Sequence, residues 1–139
     1  MLEVFLRHHE AMPTSYEIDT ERELVLSRIW GAPTEDEILD HGRRLRADPR
    51  FQPEFRQLLD MTELTEILIT PGTVRQASRD QFFAPGVRRA LVAGDDVSFG
   101  MARMYAIASE SQGQTIQVFR QLEGAKAWLG VSETSAQTI

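Results

Sequence analysis

The chain has 139 residues with 21 acids, 15 bases, a net charge of −6 and no cysteine. That length fits one domain, large enough to bury roughly two-thirds of its unfolded surface without a covalent or metal staple. The missing cysteine excludes disulfides, thiolate catalysis and cysteine-ligated zinc, the acidic balance opposes nucleic-acid binding outside a local basic patch, and no apolar run approaches the ~20 residues of a membrane span.

A reducing, cytoplasmic setting fits this composition. The opening MLEVFLRHHEAM holds Leu2, Val4, Phe5 and Leu6, interrupted by Glu3 and Arg7. It is too short for a secretory signal, and no small-residue cleavage site follows. Residues 1–13 are therefore expected to form an N-terminal extension, free or packed on a partner. The small, polar stretch 131–139 is expected to be a loose tail. Residues 15–19 alternate like a strand, TERE turns the chain, and residues 24–30 make an antiparallel neighbour. A helix follows, with Thr34 as N-cap and Glu37 completing a capping box. Glu35, Asp36 and Glu37 crowd its positive end, and Arg43, Arg44 and Arg46 its negative end. Its expected buried stripe is Ile38, Leu39 and Leu45, with Gly42 between them, and Pro49 ends it.

Residues 55–60 read as a third strand. Thr70 and Pro71 open a second helix as N-cap and first turn, with Val74 and Ala77 inward and Arg75 and Arg79 outward. FFAPG breaks that helix, and residues 88–93 form a fourth strand. Ser98 is expected to cap a third helix over 99–111. Gly113 separates it from a strand at 115–119. A last helix, 122–129, buries Leu122, Ala125 and Leu129 and stops at Gly130. The order β-β-α-β-α-β-α-β-α predicts an α/β fold: a single mixed five-stranded sheet, about four helices and right-handed crossovers.

Several phrases carry a resemblance. ADPRF at 47–51, LLD at 58–60, the acids at 95–96 with GMARM at 100–104, and VFRQLEGAKAWL at 118–129 are similar to a single-domain bacterial branch of the STAS-like proteins, the fold of the anti-sigma-factor antagonists. The resemblance spans roughly residues 14–130 and implies the STAS-like fold. In the regulated antagonists, an Asp-Ser-Ser-Gly turn opens the second helix and its serine is phosphorylated. Here the strand ends at Asp60, the turn reads ILITPGT, and only Thr70 or Thr73 stands near that place. The fold description also overlaps with the larger CRAL-TRIO lipid-transfer modules.

Ligands of open α/β sheets usually meet the loops at the carboxyl ends of the parallel strands. Those loops carry Asp60, Thr62 and Thr70, then Asp95, Asp96 and Ser98. The two adjacent aspartates suit a cation or acid–base chemistry, or else plain helix capping. On a helical wheel, Met101, Met104, Tyr105 and Ala108 share one arc. Arg103 lies opposite, beside Phe99 and Ala106, where it can tie down Asp95 or Asp96 or anchor an interface. Phe82 and Phe83 are candidates to line a small-molecule pocket or to close the core. His8, His9 and His41 have no metal-site spacing, and no nucleophile elbow is present. The leading expectation is a non-enzymatic regulatory or protein-interaction module, needing no cofactor or metal and binding another protein or a second copy of itself. A carrier of a small apolar or lipid-like ligand is the alternative, and a hydrolase or transferase resting on Asp60, Asp95 and Asp96 is a third.

Overall fold

The computed structural model describes residues 13–131; apart from Pro13 and Val131, the extension expected over 1–13 and the tail expected over 131–139 lie outside the described residues. The strands are β1 (Thr14–Asp19), β2 (Leu24–Gly31), β3 (Arg56–Leu64), β4 (Arg88–Val92) and β5 (Thr115–Phe119). The helices are α1 (Glu35–Ala47), α2 (Pro71–Arg79), α3 (Asp96–Ser109), which runs on into a short 3-10 turn (Glu110–Gln112), and α4 (Leu122–Leu129). One mixed sheet has the order β1-β2-β3-β4-β5, with β1 antiparallel to β2 and every other pair parallel. The expected fold class and element order are those observed.

Strand order decides where the helices go. The chain steps across the sheet in one direction from β2 to β5. Right-handed crossovers then put all three connecting helices on the same face. Alternation along the strands shows this. Leu24, Leu26, Leu58, Ala90 and Val92 point to one face and pack with Ala125 and Leu129 of α4. Ile29, Gln57, Leu59, Arg89 and Leu91 point to the other, beneath α1, α2 and α3.

Local signals place the ends of the elements. Thr34 accepts the Glu37 N–H (3.2 Å), and Glu37 Oε1 accepts the Thr34 N–H (2.8 Å), so the capping box forms as expected. Thr70 caps α2 with Pro71 in its first turn, and Gly130 ends α4 at φ 74°, a conformation that favours glycine.

Three expectations are corrected. The cap of α3 is Asp95, whose side chain accepts the Ser98 N–H at 2.8 Å; Ser98 sits inside the first turn. An aspartate in extended conformation three residues upstream is as good a cap as serine, so the helix starts earlier. Strand β3 continues past Asp60 to Leu64, because Trp30 and Gly31 of β2 pair with Glu63 and Leu64 beyond a bulge. The buried face of α3 is Ser98, Ala102, Ala106 and Ser109. These small residues let α3 approach α2 and β5 closely. The longer Met101, Met104 and Tyr105, expected on the inward arc, are only half-buried.

Candidate functional site

The carboxyl ends of the parallel strands gather the expected rim residues, and apart from the Ser98 hydroxyl, which is buried on the cavity wall with no hydrogen-bond partner among the described residues, each already has a structural partner. Asp60 accepts both the Thr62 N–H (2.9 Å) and the Thr62 hydroxyl (2.7 Å). Asp95 is the α3 cap; the Ser98 N–H, followed by the nearby Ser98 hydroxyl, holds its carboxyl below the usual carboxylate value. Asp96 pairs with Arg120 at 2.8 Å, and the same guanidinium reaches the Gly94 carbonyl and stacks on Phe99. Arg103 therefore does not tie down this loop. It is exposed on α3, one turn before the exposed Ile107 and beside the edge of the face that buries Ala106. Among the described residues, no group of three His, Cys, Asp or Glu is placed to hold a metal ion. Thr70 and Thr73 both donate to Glu35 at the start of α1, which keeps the Glu35 carboxyl below its ordinary value. That clasp joins the α1 and α2 N-termini.

The space beneath these helices is the main feature. A cavity of about 400 Å³ lies between the sheet and α1, α2 and α3. Close-packed interiors leave few voids larger than a water molecule, and small-molecule sites run from about 300 to 1,000 Å³. The lining is mainly apolar: Ile38 and Leu39 from α1, Val74 and Ala77 from α2, Leu59 and Met61 from β3. The segment between β3 and α2 adds Ile67 and Ile69. Phe82 and Phe83 line the end near the amino termini of the parallel strands. They stack on each other (5.1 Å between centroids), and Phe51 meets both edge-on.

Arg89 enters this cavity from β4. It is only 5 % exposed. Its Nε donates to Gln57 (3.1 Å), and Nη1 donates to Gln81 and Gln114 (2.8 Å each). Its Nη2 donates to the Tyr105 hydroxyl (3.0 Å), and the group lies 4.2 Å over the Phe83 ring. Among the described residues, no acid pairs with it. Burying a permanent cation costs several kcal/mol unless charge or dipoles compensate. Here three neutral amide oxygens and a phenol do so.

His41 is another buried polar group on the wall, which also carries Gln57, Thr73 and Ser98. It is 6 % exposed, lines the cavity from α1, and neither ring nitrogen has a hydrogen-bond partner among the described residues. Burial pushes its imidazole down to about 4; Arg44 adds to the shift and Asp40 opposes it. The ring is neutral at pH 7, so one nitrogen can donate and the other accept.

Sequence reasoning singled out Phe82 and Phe83, read Tyr105 only as part of one arc of the third helix, and passed over Arg89 and Gln57. A signal was available. Central parallel strands covered on both faces read as apolar runs, so an arginine and a glutamine at adjacent inward positions stand out. The register sets them side by side as Gln57↔Arg89.

No protein-family model and no curated protein matches the chain. Among solved structures, it is similar to an uncharacterized protein from the DUF3478 family, with a SpoIIAA-like fold, from Shewanella loihica PV-4. The TM-score is 0.56 at 16% sequence identity, over 84% of this chain and 93% of that one. At that identity the likeness shows the fold, which is the STAS-like one the sequence resembles.

Proposed function

We propose that the protein is a non-enzymatic binding module that holds a small, largely apolar molecule between its sheet and α1, α2 and α3. The observation that carries this reading is the 400 Å³ cavity with an apolar lining and a few inward polar groups, the usual make-up of a small-molecule site. The rim acids support it from the other side, since capping, local turns and ion pairs occupy them. An uncharged apolar dye such as Nile red tests it. Wild-type protein binds one dye per chain, and Ala77→Phe, which places a ring in the cavity, weakens binding at least tenfold while the thermal melt stays cooperative. No dye binding by folded wild-type protein, or equal binding by both, ends the reading.

A second reading rests on the outer surface of α3. Val97 and Ile107 are 62 % and 56 % exposed there, and the exposed Arg103 lies one turn before Ile107. Such a surface suits a regulatory contact with another protein or a second copy of this chain. Light scattering is expected to give twice the chain mass for wild type and the single mass for Ile107→Glu. A wild-type monomer at all concentrations removes the homodimer.

A further inference from the structure

We infer that the bound molecule carries a single carboxylate, seated on Arg89 and Tyr105 with its apolar part running toward the carboxyl ends of the strands. This rests on the cavity being a ligand site.

The argument begins with donor counts. A guanidinium has five N–H groups. Arg89 makes four hydrogen bonds, and only one of them leaves Nη2. One Nη2 hydrogen therefore has no partner among the described residues. The Tyr105 hydroxyl, which accepts from Nη2, has for its own proton only a contact of 3.4 Å to Gln81, beyond ordinary O–H···O length. Two donors, one of them cationic, thus sit together on the cavity wall, and both residues line it. A carboxylate has the acceptors to take both, and charge-assisted bonds of this kind are the strong ones.

Charge selects among anions. Arg89 is one buried positive charge with no acid of the described chain to balance it. A carboxylate cancels it, whereas a phosphate monoester brings about −1.5 to −2 and leaves negative charge in an apolar site. Position sets the orientation. Arg89 is the second residue of β4, at the amino ends of the parallel strands, and its register partner is Gln57. Met61, four residues further along β3, lies about 13 Å away at the strand rise. Ile67 and Ile69 follow it at that end. The polar head is therefore deep and the apolar chain points to the rim. His41, unpartnered and nearly buried, is a second polar point on the α1 wall.

Calorimetric titration of the full chain with decanoate, decan-1-ol and decyl phosphate, all below their micelle concentrations, tests this. Decanoate is expected to bind about 10–100-fold more tightly than the alcohol, the worth of one or two hydrogen bonds to a charged group. Tyr105→Phe, which keeps the ring, is expected to narrow that gap, and Arg89→Met to abolish it. If Arg89→Met does not fold, the wild-type head-group series and Tyr105→Phe still decide. Equal binding of decanoate and decanol overturns the carboxylate and leaves the apolar-ligand reading standing. Tighter binding of decyl phosphate overturns it in favour of a dianion. Binding of none of the three, with the uncharged dye also excluded, overturns both.

Discussion

Leu58→Ala is expected to destabilise the protein by about 2–5 kcal/mol, while Leu59→Ala, the next residue along the same strand, costs under ~1.5 kcal/mol. Leu58 is buried on the α4 side, in a cluster with Leu24, Leu26, Ala90, Val92, Ala125 and Leu129. Truncation there removes contacts on every side and leaves a hole that the neighbours cannot fill. Leu59 is half-buried and lines the cavity. It already lacks packing partners on its cavity side, so its loss forfeits less dispersion energy. Domains of this size have about 5–15 kcal/mol of total stability, so the first change consumes a large share of it. Equilibrium urea unfolding of the two variants, with the slope checked for constancy, separates them. Equal costs would mean that the helical face is packed as tightly as the α4 face, and the cavity would lose its standing as a site.

Acid is expected to act through His41. Its imidazole is near 4 in the folded protein against 6.5 unfolded, because burial disfavours the charged form. Below pH 6.5 the unfolded chain takes up this proton and the folded chain does not, so stability falls as pH drops from 6.5 to about 4. Above 6.5 the group contributes no pH dependence. The full difference corresponds to roughly 3 kcal/mol. His41 faces the Tyr16 ring edge-on at 5.8 Å, with Arg44 and Asp40 on its own helix as the charges that act on it. Asp40 pairs with Arg44 at 3.1 Å, so it offers little compensation to an imidazolium. Carboxylates that titrate in the lower part of this window are common to wild type and variant. The difference between wild-type and His41→Leu stability, measured in urea at a series of pH values, isolates the histidine. The gap should move in favour of the variant between pH 6.5 and 4. Parallel curves across that window would sink the assignment.

Much of the architecture is legible in the sequence because local chemistry determines it. Thr34 with Glu37, Thr70 with Pro71, and Gly130 each satisfy or end a helix within a few residues, and each works as read. The alternation of strand and helix signals then leaves few topologies. What failed was decided at longer range. Asp95 and Ser98 are equally plausible caps in sequence, and only the path of the chain out of β4 selects the first. Residues 61–64 look like a loop until Trp30 and Gly31 are there to pair with them. Arg120 was overlooked because its partner Asp96 lies far from it in the chain. The wheel for α3 weighted large apolar residues, whereas close helix packing chose alanine and serine. The cavity is the least legible feature, since it depends on how far three helices stand off the sheet. No residue pattern encodes that distance, although the adjacent Gln57 and Arg89 mark where it matters.

One strand can thus carry two kinds of information in alternate positions. Positions 58, 90 and 92 answer to the solid side of the sheet, and positions 57, 59, 89 and 91 to the hollow side. Within the second set, the half-buried Leu59 can change with modest penalty to folding, whereas Gln57, Arg89 and Leu91 are buried and Gln57 accepts a hydrogen bond from Arg89. The shape of the hollow side can therefore be altered at Leu59 while the solid side keeps the sheet together.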